Sequence, residues 1–359
     1  MNFLKGFYVM NKKVIIADIS SIKVENKIFG HYGKVALMYK KILKNENFDF
    51  FIAGGPIYKN SYKEINCLEL PYDYNLDKLS NKIGKVYFKM HSTLNGIKLF
   101  FNAKNSIVIC QPYSFISWML SILFASRTTD IYLIEYRNEL DKSINKLMYF
   151  FARKKIKGVI CSSDDVGKAY GLPYIVVPDY IYCENKLHNK SYSPQYDFGM
   201  VGIMSDGKDI DDVIDTFSNT NYKVLISGYF HNKKRYQKIL DKKTDNIEVV
   251  NKYLSNEEYE AFFDNVKYVL LPYAEYYKNA SSGVIYDILF HRKPVITKDY
   301  PNFEFVKKYN IGVLYNKSLK ELDFKLLNQE DFSESMQNNI DKFLIENKSC
   351  AKKIIDFIS

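Results

Sequence analysis

The chain has 359 residues, 47% of them hydrophobic and 16% aromatic. That allows two domains of roughly 150 residues with sizeable cores and excludes wholesale disorder. Lys and Arg number 51 against 41 Asp and Glu, a net charge of +10, which points to anionic company: nucleic acid, phosphorylated ligands or an anionic membrane surface. A residue usage that simply favours Lys, Asn, Ile and Tyr accounts for the same surplus equally well.

The opening stretch "MNFLKGFYVMNKK" lacks the apolar run and small-residue cleavage site of a secretory signal, and either Met1 or Met10 serves as a start. Strand-like runs follow at 13–19 ("KVIIADI"), 48–55, 65–70, 106–112 ("SIVICQP"), 131–136 ("IYLIEY"), 158–163 and 174–179. Helical patterns lie between them at 33–44, 79–101, 114–126, 139–155 and 164–170. The runs are continuously apolar rather than alternating, so the strands are expected to be covered on both faces. Strand then helix, repeated, predicts a doubly wound parallel sheet. The longest apolar run, 114–126, is shorter than the ~20 residues that span a bilayer, so the chain reads as soluble or peripheral.

Three features of this half bear chemistry. In "FGHYGKVAL" (29–37), Gly30 and Gly33 bracket His31 ahead of an apolar helix. His31 is the candidate for acid–base or transition-state contact, against the ordinary reading of a lone structural histidine; His91, inside a helical pattern, reads as packing. "IEYRNE" (134–139) ends a strand with Glu135, Arg137 and Glu139, a cluster that either reaches an acceptor or a diphosphate or forms exposed ion pairs. "NKLMYFFARKKIKG" (145–158) joins an aromatic and aliphatic face to Arg153, Lys154, Lys155 and Lys157. It is either an amphipathic helix lying on an anionic bilayer or a core helix with a solvated end.

Polar residues at 183–197 ("CENKLHNKSYSPQYD") break the rhythm and read as a linker. The alternation restarts with strands at 197–204, 222–229, 246–253, 266–273 and 293–299 and helices at 208–218, 231–241, 256–265 and 281–291; the tail from 334 to 358 is helical and basic. Domains are expected at 1–182 and 198–333, with a terminal helix at 334–359. Five cysteines (Cys67, Cys110, Cys161, Cys183, Cys350) show no CxxC or Cys/His spacing, which argues against zinc and for reduced thiols in a cytosolic protein.

The densest signal is "YYKNASSGVIYDILFHRKPVI" (276–296). One capping residue suffices to start a helix, yet Asn279, Ala280, Ser281, Ser282 and Gly283 stand together at the carboxyl end of a strand. Free amides of a first turn and the positive helix terminus suit an anion; Ser281 and Ser282 add hydroxyls and Gly283 lets a ligand approach. Plain capping is the alternative. Asp287 lies in an otherwise apolar helix, where a carboxylate is costly to bury without a partner. It is either exposed or an acceptor for paired hydroxyls such as those of ribose.

The segment 270–303 resembles the donor-site segment of GT-B glycosyltransferases, the family 4 type in particular. The likeness runs through about 195–315, carried by "FGMVGIMSDGKDIDDVIDTF" and by the "KPVI" strand. It implies two Rossmann-like domains facing a cleft (GT-B) in an α/β chain, with the C-terminal helix packing back. It places Asp287 near the nucleotide ribose and Lys208 on the donor diphosphate; the partner Arg position falls on Ile203, for which Arg137, Lys34 or Lys298 are substitutes. Asn279 stands where the family has an acidic residue and can still bond sugar hydroxyls. The glycine-containing loop at Gly33 then faces the donor.

The resemblance implies transfer from a nucleotide-sugar, itself a substrate, with no cofactor. No DxD stands beyond "DID" (209–211), which heads a helix where acids suit the dipole, so a metal-bridged donor site is not indicated. The acceptor is a saccharide or lipid-linked glycan, as in bacterial surface polysaccharide (O-antigen or capsule) assembly at the inner face of the plasma membrane. A catalytically inactive GT-B relative acting as a binding subunit, or a nucleotide-sugar 2-epimerase, are the alternatives. Nucleic-acid binding is disfavoured, since the aromatics are not interleaved with Arg in one patch. Retention or inversion, the donor and the acceptor stay open.

Overall fold

A computed structural model describes residues 12–24, 26–30, 32–44, 46, 48–179, 181, 194–230, 232–278, 282–327 and 329–359. His31, Asn279, Ser281 and most of the 183–197 linker lie outside the described residues. The chain divides into two compact units: residues up to Pro178 together with Cys350–Ser359, and Asp179–Ser349.

The first unit is built on a seven-stranded sheet ordered Tyr174–Val176, Ile156–Cys161, Asp130–Glu135, Ser106–Cys110, Lys12–Ala17, Phe48–Gly54 and Cys67–Glu69. Every pairing in it is parallel. The first strand lies inside the sheet, and the chain winds to one edge before returning to the other. The winding therefore reverses between Lys12–Ala17 and Ser106–Cys110, where Ile15 pairs Val108 on one side and Phe51 on the other. Val14, Ile15, Ile16 and Ala17 are all fully buried, the consequence of covering both faces of the sheet.

The second unit repeats the plan with six parallel strands: Ile247–Asn251, Val224–Tyr229, Tyr196–Ile203, Val266–Leu271, Val295–Lys298 and Gly312–Tyr315. Its reversal lies between Tyr196–Ile203 and Val266–Leu271. Its core is aromatic, with Phe198 tilted against Phe217 at 4.7 Å and stacked on Tyr268 at 5.9 Å. The Tyr268 hydroxyl donates to the Leu327 carbonyl at 2.6 Å, which removes the cost of burying it.

Helix starts follow local chemistry. Ser255 and Glu258 form a reciprocal capping box ahead of Asn256–Asn265, and Asn232 accepts from Lys234 and Arg235 amides ahead of Lys233–Lys242. The final helix, Glu330–Ile358, belongs to the second unit through Ser349, where Arg292 pairs Asp341 at 2.8 Å. Its last residues, Cys350–Ser359, are part of the first unit, with Phe357 edge-on to Tyr132 at 5.4 Å and over Gly158, where an added Cβ would lie 2.4 Å from that ring.

The two Rossmann-like units expected from the alternation are thus present. Helix 114–126 is shorter than expected, Phe115–Ile122. A small sheet of Ile22–Val24, Lys27–Ile28 and Tyr74–Asn75 was not anticipated, because two- and three-residue strands carry no readable period. No helix among the described residues is long and apolar enough to cross a membrane.

Candidate functional site

In open α/β sheets, ligands bind beyond the carboxyl ends of the strands where the winding reverses. In the second unit that position follows Ile203 and Leu271. Near the end of the strand Tyr196–Ile203, Gly202 pairs Gly228 of the neighbouring strand, and the turn after the strand carries Lys208. This lysine is 5% exposed and donates from Nζ to the Val201 carbonyl at 2.7 Å. Burial lowers its pKa to about 7. The 205–208 turn is gripped by Arg235, whose guanidinium donates to the Ser205 and Lys208 carbonyls.

Across the reversal, Tyr273 bridges to Lys208 and its buried hydroxyl bonds the Ser282 hydroxyl. Ser282 holds the N-cap position of helix Gly283–Phe290, but its side chain turns to Tyr273 and caps no helix amide. Asp287, one turn further, is buried at 4% exposure and accepts at Oδ2 from the Tyr259 hydroxyl at 3.0 Å. Burial and then the Asp287 charge push the Tyr259 phenol well up, so it stays a donor. Lys298, ending the next strand, sits 3.6 Å from Asp209. Lys208, Ser282, Gly283 and Asp287 are therefore gathered at one sheet end.

The matching end of the first unit holds a different set. Asp18, 2% exposed, accepts from the Ser20 amide at 2.9 Å, the Ser21 amide at 3.2 Å and the Tyr58 hydroxyl at 2.7 Å. Burial raises its pKa, with the donors pulling the other way. Ser21, Tyr113 and Ser114 all have positive φ, and such strained backbone collects at functional sites. Gln111 is buried, and among the described residues neither of its amide atoms has a hydrogen-bond partner. Arg137 pairs Glu139 and lies within electrostatic reach of Tyr32, Tyr113 and Glu135. Burial, then Glu139, drives the Glu135 carboxyl well up. Gly33 packs against Tyr62, whose hydroxyl lies 2.3 Å from where a Cβ would sit. His91 stacks on Tyr72 at 4.4 Å.

No family model matches the sequence, and no curated protein matches it. Solved structures do. A glycosyltransferase from Rickettsia africae is 15% identical with a TM-score of 0.65, covering 97% of this chain and 98% of that one. An E. coli trehalose-6-phosphate protein bound with UDP-2-fluoro glucose reaches 0.69 at 8% identity, over 97% and 99%. The lipopolysaccharide outer core galactosyltransferase WaaB reaches 0.57 at 14%, over 95% and 98%. The chain has the GT-B fold. At these identities the likeness speaks for fold alone.

Within that GT-B frame the second unit brings together four of the residues singled out in the sequence, and adds three that were not: Arg235, Tyr259 and Tyr273. Arg235 sits in a run of cations ("HNKKRYQ") that reads as a solvated helix face, and neither tyrosine is flagged by spacing. Of the substitutes considered for a second cation, Lys298 lies beside Asp209 in this unit, while Lys34 and Arg137 belong to the first. Tyr259 is a positioning residue. Tyr259→Phe takes a donor from a buried carboxylate, so urea unfolding is expected to show a loss of about 1–3 kcal/mol. Unchanged stability would mean that other partners hold Asp287.

Proposed function

We propose that the chain is a glycosyltransferase that moves a hexosyl group from a nucleotide-sugar to a glycan acceptor, without a metal ion. The observation that carries this reading is the convergence of a buried lysine, Lys208, with a helix start, Gly283–Phe290, whose N-cap residue Ser282 turns its side chain away from the helix amides, at the reversal point of a Rossmann sheet. Both suit the diphosphate of the leaving nucleotide. As the acceptor hydroxyl bonds to the anomeric carbon and the glycosyl–phosphate bond breaks, charge develops on that diphosphate. Lys208 and the first-turn amides then offset it. Asp287, oriented by Tyr259, is suited to the ribose hydroxyls.

The first unit offers the acceptor side, with Asp18 and Arg137 as polar contacts and His31 as a candidate close to the chemistry; the second unit adds Asn279 as the other candidate. A saccharide or lipid-linked acceptor in bacterial surface-polysaccharide assembly, a family 4 affinity and a place at the inner face of the plasma membrane complete the proposal. The galactosyltransferase named above is an example of that chemistry on this fold. Asn279 and Ile203, standing where a carboxylate and an Arg are expected, support a second reading: an inactive relative that binds donor and does not turn it over.

Thermal unfolding against UDP, GDP, CMP and dTDP compounds and their sugars, with no metal added, tests the donor site. A ligand at 100 times its Kd adds about 2.7 kcal/mol. One nucleotide series is expected to stabilise the protein and to lose that effect in Asp287→Ala. No response to any series would sink the donor-site reading, whereas binding without turnover of any acceptor would favour the inactive relative.

A further inference from the structure

The exposed large hydrophobic side chains are not scattered as ordinary surface residues are. Among the described residues, all but Tyr113, Val176 and Ile345 fall on one run of helices in the first unit. On helix Lys82–Asn102, Ile83, Val86, Tyr87, Met90, Leu94 and Phe101 recur at helical spacing along a single stripe. The opposite stripe, with Phe88, Ser92, Asn95, Leu99 and Phe100, is buried in the unit. A helix apolar on both sides needs cover on both, and the described residues supply only one.

Two neighbours continue the face. Helix Lys82–Asn102 is bound to helix Phe115–Ile122 by Ser117 Oγ donating to the Lys89 carbonyl and Ser121 Oγ to the Thr93 carbonyl, both at 3.1 Å. That second helix ends in exposed Leu123 and Phe124. Lys155 ties this end to the third element, donating to the Leu123 and Ala125 carbonyls at 2.6 and 2.7 Å. Helix Ser143–Ala152 packs alongside and exposes Ile144, Leu147, Phe150 and Phe151, the last two at 65% and 58%. All three helices precede strands added in one direction across the sheet, and right-handed crossovers put them on one side of it.

The charge around this face has one sign. No Asp or Glu occurs between Asp77 and Asp130, nor between Asp141 and Asp164. Lys82, Lys85 and Lys89 flank the first stripe, and Lys146, Arg153 and Lys154 the third; all are exposed. An open cleft of about 640 Å³ beside Lys78 and Lys82 adjoins the start of the first helix.

We infer that this three-helix face is a docking surface for an anionic lipid bilayer, the aromatics entering the interfacial region while the lysines and arginines meet the headgroups. Interfacial helices bury their apolar face by ~5–10 Å, and apolar patches rimmed by polar groups mark such sites. A second copy of the chain is the poorer occupant. A two-fold interface sets a patch against itself, which would oppose this cation cluster to its own duplicate. The inference draws its purpose, access to a lipid-linked acceptor, from the transferase reading, but its existence does not depend on that reading.

The test is co-sedimentation of the full chain with vesicles of phosphatidylglycerol and phosphatidylcholine, and of phosphatidylcholine alone, at 0.1 M salt. Binding to the anionic vesicles is expected to be at least about tenfold tighter, and each cation reversed is expected to weaken it by more than the roughly fivefold that one lost charge costs. The variants are Lys82→Glu with Lys85→Glu, and Phe150→Ser with Phe151→Ser, each first shown to unfold at the wild-type temperature. Both pairs should lose at least about tenfold. Equal affinity for neutral vesicles, no binding to either, or variants that bind as wild type would overturn the inference. So would a dimer in sedimentation equilibrium that disappears in the Phe150/Phe151 variant. Vesicle binding in a protein that ignores every nucleotide would leave the docking face standing and remove the transferase reading.

Discussion

Lys208→Met is expected to stabilise the free protein at pH 7 and to abolish its stabilisation by nucleotide. The Lys208 amine is enclosed, and burial lowers its pKa from 10.5 to about 7. Between those values the unfolded chain holds more protons than the folded one, so unfolding free energy rises with pH. The penalty is fully present below about pH 7 and fades towards pH 10.5. At about 1.4 kcal/mol per unit, it amounts to something on the order of 5 kcal/mol across the window. Methionine fits the space without a charge, at the cost of about 1 kcal/mol for the lost bond to the Val201 carbonyl.

Urea unfolding from pH 6 to 10 should therefore show wild type gaining on the variant as pH rises; parallel curves would show that the amine does not titrate there. A diphosphate next to the amine would favour the charged form again. Nucleotide binding at pH 8 is then expected to take up close to one proton, read by calorimetry in buffers of different ionisation enthalpy, and none in Lys208→Met. A nucleotide response that survives in the variant places the diphosphate elsewhere.

Such a buried lysine costs stability in the free protein, and it was only half legible. The sequence marked Lys208 by its position after a strand and before a helix, but not that its ammonium would be enclosed under its own strand. The alternation of elements was legible throughout, because strands covered on both faces read as unbroken apolar runs. Helix 256–265 was readable to the residue, since Ser255 and Glu258 announce a capping box. Asp287 drew notice as a costly carboxylate in an apolar helix. Its partner Tyr259 did not, because their meeting depends on how two helices pack against the sheet.

The exposed apolar stripe on the helix Lys82–Asn102 was hidden for a related reason. Helix 79–101 is apolar on two sides, and periodicity alone does not tell which side meets the sheet. Leu99 and Phe100 are buried while their neighbour Phe101 is exposed, a distinction made by the Ser117 and Ser121 bonds to the helix backbone and not by residue type.

Gly228→Ala is expected to cost about 3 kcal/mol, at the upper end of what forced overpacking does. Gly228 and Gly202 face each other in the ladder that joins the first two strands of the second unit. A Cβ on Gly228 would lie 1.8 Å from the Gly202 carbonyl oxygen and 2.8 Å from its carbon. Both obstacles are backbone, so no rotamer relieves them and the strands must part. The damage should then reach ligand binding as well as stability, because Lys208 Nζ lies 3.5 Å from the Cβ position of Gly202. Gly171→Ala is the control: Gly171 has φ +57 in a helix cap with open space around it, and alanine there costs only about 1–2 kcal/mol of left-handed strain. Both variants should lose stability in urea, but only Gly228→Ala should also lose the nucleotide-dependent shift. If the two lose stability equally and both keep the shift, the glycine pair serves the strand ladder alone and the carboxyl end of this sheet does not hold the diphosphate.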